Sequence, residues 1–123
     1  MSSSEGDCLF CKIIVGDVPS TAVYETSTVY AFRDINPQAD VHVLVVPRNH
    51  HEDAARLAEE DPALLADVLL AGAEVARQEG IEGSGYRFVL NTGPDAGRTV
   101  FHAHLHVLGG EQLGLFGRPV GAR

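Results

Sequence analysis

The chain has 123 residues, 45% hydrophobic and 21% charged, with a formal net charge of −8. That balance fits one globular domain with a real core, and the acidic excess argues against a general nucleic-acid binder, which would carry a basic face. No segment approaches the roughly 18 apolar residues of a membrane span, and Met1-Ser-Ser-Ser-Glu-Gly-Asp7 lacks the charge and apolar run of a signal peptide, so a cytoplasmic protein is expected.

Residues 1–6 read as a flexible leader. Asp7 is placed to cap a short helix over Cys8–Val15, closed by Gly16. Cys8 and Cys11 then sit about one turn apart on one face, a spacing that suits zinc. Two buried thiols are the bland alternative. A redox pair fits worse, because that motif follows a strand and there is no room for one here. In a reducing compartment a disulfide is not expected.

Pro19-Ser20 turns the chain, and Ala22–Glu25 and Val29–Arg33 read as two strands of a hairpin. Asp34 falls where strand gives way to loop, so its carboxylate could reach a ligand hydroxyl or simply cap a turn. His42–Pro47 is a third strand, apolar enough to be central, with His42 as its odd residue. A short helix is expected over Glu52–Leu57. A longer one begins with Asp61 at the cap and Pro62 at the first helical position. Its Leu64, Leu65, Val68, Leu69 and Val75 recur at helical spacing, and Gly80 ends it. Tyr86–Asn91 is a fourth strand.

The turn-rich loop Thr92–Thr99 is no P-loop, since its glycines are four apart, Arg98 replaces the lysine and a strand follows. Its backbone N–H groups, the Thr99 hydroxyl and the Arg98 guanidinium remain good donors to an oxyanion. After Leu108 come Gly109-Gly110 and an irregular tail, 111–123. The order of elements predicts α+β: an antiparallel sheet of about five strands with helices on one face.

Six histidines fall in two clusters, His42, His50 and His51, then His102, His104 and His106. In Val100–Leu108 the last three alternate with Ala103, Leu105 and Val107, the period of a half-buried strand. On such a strand the imidazoles share one face, where they suit proton transfer, nucleophilic attack or metal binding. Residues two apart on a strand are roughly 6.6 Å apart and four apart about 13 Å. Two of the three could share a metal, and one is left for other work.

Phe101-His102-Ala103-His104-Leu105-His106-Val107-Leu108 resembles the His-x-His-x-His signature of the histidine triad (HIT) superfamily, and Gly109-Gly110 makes it similar to the Hint branch, the nucleoside phosphoramidate hydrolases. Similar segments are Phe10–Ile14, Ala31–Gln38 and His42–His50, so the resemblance runs from Cys8 to about Gly110. It implies a homodimer with joined sheets and a purine nucleotide (AMP-type) site in each subunit. It implies that His104 attacks the α-phosphorus, that His106, Thr99 and Asn91 lie at the phosphate, and that His42 supports the nucleophile. Asp34 matches the carboxylate that holds ribose hydroxyls, and Ile35 lines the base pocket. Several bacterial members carry structural zinc on positions matching Cys8, Cys11, His50 and His102, with His51 competing for the place of His50.

Two residues depart from the family. Arg98 stands where Gln is usual, and Glu111 where a basic residue often follows the double glycine. The two are expected to pair, leaving the phosphate to Thr99 and His106. Other functions compatible with the pattern are hydrolysis of dinucleoside polyphosphates or adenylyl sulfate, non-catalytic nucleotide binding, and a zinc hydrolase with metal on the triad.

Overall fold

A computed structural model of the chain describes residues 7–97 and 100–114. The leader 1–6, Arg98, Thr99 and the tail 115–123 lie outside the described residues. The elements are α1 (Leu9–Ile14), β1 (Ala22–Glu25), β2 (Val29–Arg33), β3 (Val41–Pro47), α2 (Ala54–Glu60), α3 (Pro62–Gln78), β4 (Tyr86–Leu90) and β5 (Leu105–Gly109), with a single 3-10 turn at Pro94–Ala96. The strands form one antiparallel sheet in the order β1-β2-β3-β5-β4. The fold is α+β, as the order of strand and helix patterns predicts. No helix of the described residues is long and apolar enough to cross a membrane.

Each strand sends alternate residues to opposite faces, and the two faces have different covers. Val29, Ala31, Val43, Val45, Leu105 and Val107 pack with Leu64, Val68, Ala71 and Val75 of α3. Burial of each such valine or leucine is worth about 1.5–3 kcal/mol. Tyr30, Phe32, Leu44 and Val46 pack on the other face with Cys8, Phe10 and Ile13. The helices therefore do not share one face, contrary to the sequence expectation. The short α1 is itself an apolar cover, too brief for its periodicity to reveal which side it takes.

Local capping explains the element ends. Asp61 accepts from Leu64 N–H at 3.1 Å and Pro62 opens α3. Asp53 accepts from Arg56 N–H at 2.8 Å, which starts α2 two residues later than the sequence suggests. At α1 the cap is Cys8, whose sulfur accepts from Cys11 N–H at 3.3 Å, in place of the expected Asp7. Gly72 lies where α3 crosses the sheet. A Cβ there would come within 2.7 Å of Leu105 Cδ2 and 2.9 Å of Phe88 Cζ. The missing side chain lets the helix close on the strand that carries His106.

The largest departure from the sequence pattern concerns the histidine segment. The pattern predicts strand from Val100, yet β5 begins at Leu105. His102 and His104 precede the ladder, and only His106 lies in it, opposite Leu44 and Val89. Other partners hold the segment instead. Ala103 N–H donates to the His51 carbonyl at 2.7 Å, and the His102 ring reaches the Pro47 carbonyl at 2.8 Å.

Candidate active site

The sheet face opposite α3 carries a cavity of ≈ 320 Å³ lined by Phe10, Ile13, Phe32, Leu44 and Val100, with Asp34, Ile35, Asn36, His104 and His106 at its polar side. That is a size and lining suited to a small ligand with one apolar part. Ile35 is 90% exposed, an apolar side chain offered at the rim. Phe10 meets the His104 ring edge-to-face at 5.0 Å between centroids.

The hydrogen bonds fix the proton on each ring, because carbonyls only accept and backbone N–H groups only donate. His104 Nδ1 lies 2.7 Å from the His102 carbonyl, so Nδ1 carries the hydrogen and Nε2 keeps its lone pair. This is the tautomer a nucleophilic imidazole needs, with an acceptor ready for the charge that develops. Gln38 N–H donates to His42 Nδ1 at 3.0 Å, so His42 carries its hydrogen on Nε2. That hydrogen faces His106 Nδ1 at 2.9 Å. His106 must accept there and hold its own hydrogen on Nε2. One backbone amide thus sets two histidines in sequence, leaving His106 as a donor 3.5 Å from Asn91 Nδ2. The His104 and His106 rings are 5.1 Å apart.

Burial pushes His106 down to about 4, helped by the neighbouring His104 and His42 and opposed by Asp34. His42 is lowered by burial against the pull of Asp34. His106 is therefore a neutral donor at pH 7. The unfolded chain binds that proton near pH 6.5 and the folded chain only near 4, so the unfolded state binds more protons in between. Stability falls as pH drops from 6.5 through 4, by up to about 3 kcal/mol from this residue, and levels off below. Urea denaturation of wild type and His106→Asn at pH 7, 5.5 and 4 checks this. The advantage of wild type should shrink with acid, and a constant difference would refute it. Acid loss of any metal acts on both proteins and cancels.

Asp34 Oδ1 accepts from Asn36 N–H at 2.8 Å, and Oδ2 stands 3.4 Å from His42 Nε2. Asp34, His42 and His106 have donor atoms within 4.8 Å of one another, a set that could suggest a cation. The proton order argues against it. A metal on His42 Nε2 would need an imidazole that gives up its hydrogen while Nδ1 still accepts from Gln38.

The second cluster has different chemistry. Cys8, Cys11, His50 and His102 bring their donor atoms within 4.8 Å of one another. Cys8 Sγ lies 3.3 Å from His102 Nδ1, and Cys11 Sγ lies 3.4 Å from His50 Nδ1 and 3.5 Å from His102 Nδ1. With metal–sulfur bonds near 2.3 Å and metal–nitrogen bonds near 2.0 Å, tetrahedral ligands sit roughly 3.5 Å apart, so the set fits such an ion. His102 Nε2 donates to the Pro47 carbonyl, which leaves the Nδ1 lone pair toward the sulfurs, the outer bond that metal-ligating histidines use. Burial holds His102 down to about 4 despite that carbonyl, so the ring is neutral at pH 7. His51 takes no part: its Nδ1 pairs with Glu60 at 2.7 Å.

The structure thus gathers Asp34, Ile35, His104 and His106 at the cavity, with His42 and Asn91 against the His106 ring, and Cys8, Cys11, His50 and His102 in a second cluster. Arg98 and Thr99 lie outside the described residues, as does any pairing of Arg98 with Glu111. Glu111 itself accepts from Asp40 N–H at 2.6 Å. Phe10, the Gln38 amide and the Pro47 carbonyl were not singled out by sequence reasoning. Backbone groups leave no residue-type signal, and Phe10 reads from sequence as plain core.

Residues 15–113 match the model of the HIT domain. An uncharacterized HIT-like protein of Synechococcus elongatus is 46% identical over 107 residues, 87% of this chain and 93% of that protein. The 14 kDa zinc-binding protein of Zea mays is 45% identical over 107 residues, 85% of this chain and 83% of that protein. The structure of a HIT family hydrolase from Clostridium thermocellum superposes with a TM-score of 0.85 at 45% identity, covering 89% of this chain and 95% of that one. The neighbouring histidine clusters, the sheet that carries them and this likeness along most of the sequence have one common account: the chain belongs to the HIT family.

Proposed function

We propose that the protein hydrolyses purine nucleoside phosphoramidates, taking AMP–amine conjugates to AMP and amine through a nucleotide bonded to His104. The observation that carries this is the His104 ring, which lines the cavity and is held through Nδ1 by the His102 carbonyl at 2.7 Å, the tautomer that leaves the lone pair on Nε2. Nε2 attacks the α-phosphorus. The P–N bond of the N-protonated substrate breaks, and its electron pair leaves with the amine. Water then attacks phosphorus, the P–Nε2 bond returns its pair to His104, and the proton of the water passes to solvent as AMP forms.

The surrounding groups suit these steps. His106 Nε2–H and the Asn91 amide nitrogen are two donors 3.5 Å apart, and a phosphate oxygen between them would satisfy both. By resemblance Thr99 adds a third donor and Arg98 stands beside it. Asp34 keeps lone pairs for ribose hydroxyls, and Ile35 offers an apolar edge to a purine. The HIT family hydrolase of C. thermocellum supports hydrolysis as the reaction class.

For Cys8, Cys11, His50 and His102 we propose a structural zinc ion. Two thiolates and two imidazoles close a tetrahedron with no place for substrate, so the chemistry zinc supplies there is cross-linking. The name of the Zea mays relative supports the choice of metal. A homodimer is proposed through β4, an edge strand with Tyr86 and Leu90 exposed, where a second sheet can extend this one.

Stereochemistry at phosphorus tests the two-step course. A single diastereomer of adenosine 5′-phosphoramidothioate is hydrolysed in ¹⁸O-water. Two displacements give retention, whereas inversion would mean direct attack by water and would remove His104 from the covalent role.

A further inference from the structure

The loop between β2 and β3 holds two things the site needs. Asp34, Ile35 and Asn36 form one wall of the cavity, and the Gln38 amide sets the proton on His42 and through it on His106. The loop is closed at its base, where Asp34 N–H donates to the His42 carbonyl at 3.1 Å. Its middle is braced from within, Gln38 Nε2 donating to the Asn36 carbonyl at 3.0 Å. Its far end is held by a residue remote in sequence. Asp40 N–H donates to Glu111 Oε1 at 2.6 Å, a charge-assisted bond just beyond the end of the β3–β5 ladder.

The backbone before Glu111 is shaped for that contact. The β3–β5 ladder pairs Val41 with Gly109, and the chain then turns through Gly110 at φ +85°. A Cβ on Gly110 would lie 3.1 Å from Asp40 Cβ and 3.2 Å from Val41 Cγ2. A side chain at 110 would therefore be both strained and crowded against the residues that Glu111 holds. The glycine permits the approach, and the carboxylate uses it.

We propose that Glu111 is a positioning residue. By fastening Asp40 it holds the loop in the place where Asp34 and Ile35 meet a nucleoside and where the Gln38 amide orients His42. Its consequence for substrate rests on the nucleotide function proposed above; its consequence for the loop does not. The acidic residue in place of the basic one often found after the double glycine thereby gains a use within the chain: an acceptor for a backbone N–H.

The test uses the full chain with Glu111→Ala and Glu111→Gln. In Glu111→Ala the amides of Asp40 and Gln38 should exchange with deuterium at least about tenfold faster. The His42 ring nitrogens should shift in ¹⁵N spectra as the Gln38 bond loosens. The Kd for AMP should rise about three- to tenfold, with β-sheet amide protection unchanged. Glu111→Gln keeps an acceptor oxygen and should restore most of each effect. Unchanged Asp40 and Gln38 exchange in Glu111→Ala overturns the proposal, and so does faster exchange with unaltered AMP affinity. Equal failure of the Gln variant overturns it as well. A wild type that does not bind AMP, alongside faster loop exchange and a shifted His42 in Glu111→Ala, would leave the loop clamp standing and sink the nucleotide function instead.

Discussion

His104→Ala should reduce hydrolysis of adenosine 5′-phosphoramidate by at least about 10⁴-fold in kcat, since a covalent nucleophile acts as one unit with its partners and its loss forfeits nearly all of the chemical step. AMP affinity should stay within about threefold, because ribose, base and phosphate contacts belong to other residues. The fold should survive. His104 is half-buried at the cavity, outside the α3-facing core. The loss must therefore appear in kcat while the thermal midpoint moves little. His106→Ala gives a contrasting pattern, with weaker phosphate binding as well as slower turnover, because a neutral Nε2–H donor facing the phosphate is removed. If His104→Ala kept more than about one per cent of the wild-type rate, the nucleotidyl-histidine course would be wrong. A folded wild type that binds AMP and turns over no phosphoramidate would point to a phosphoanhydride substrate or to a binding role.

The sheet and its main helix were legible because their signals are local. Asp61-Pro62 marks the start of α3, and the apolar spacing through Val75 marks the buried stripe, although Ala71 and Ala76 occupy it while Leu69 is 37% exposed. The continuous apolar run of β3 suits a strand paired on both sides. The histidine segment misled for a physical reason. Alternation is a property of any extended chain, paired or not, and nothing in 100–104 says which carbonyls will take its hydrogens. Those partners are Pro47 and His51, half the chain away. Cys11 and His50 are 39 residues apart, so the choice between His50 and His51 could only come from contacts in space. Cap preferences favour Asp7 over Cys8, but a sulfur already drawn toward His102 sits closest to the orphan amide of Cys11. The proton order of the site was the least legible part. It is set by a backbone amide at Gln38 and a carbonyl at His102, groups that every sequence contains.

Removing the metal from the Cys8–Cys11–His50–His102 cluster should cost stability far more than chemistry. The cluster joins α1 to the segment that bears His104, and those two pieces are separated by most of the chain. Chelation, or Cys11→Ser, should lower stability by about 3–5 kcal/mol, below the roughly 10 kcal/mol or more of small domains that fold only with zinc, because the two apolar clusters here remain. For a domain of this size that is about 10–20 °C in the thermal midpoint. Metal analysis of the purified protein should give near one zinc per chain, and Cys11→Ser much less. Turnover at 25 °C by the chelated, still folded protein should stay within about tenfold of the loaded enzyme, because the His102 ring keeps its bond to the Pro47 carbonyl and its own carbonyl keeps the His104 hydrogen. Loss of 10⁴-fold or more on chelation, with the thermal midpoint unmoved, would make the metal the reactive centre and the histidine nucleophile wrong. Loss of neither stability nor rate would reduce the cluster to two buried thiols beside two histidines. The stability arm and the rate arm answer separately, so one chelation experiment distinguishes a cross-link from a catalyst.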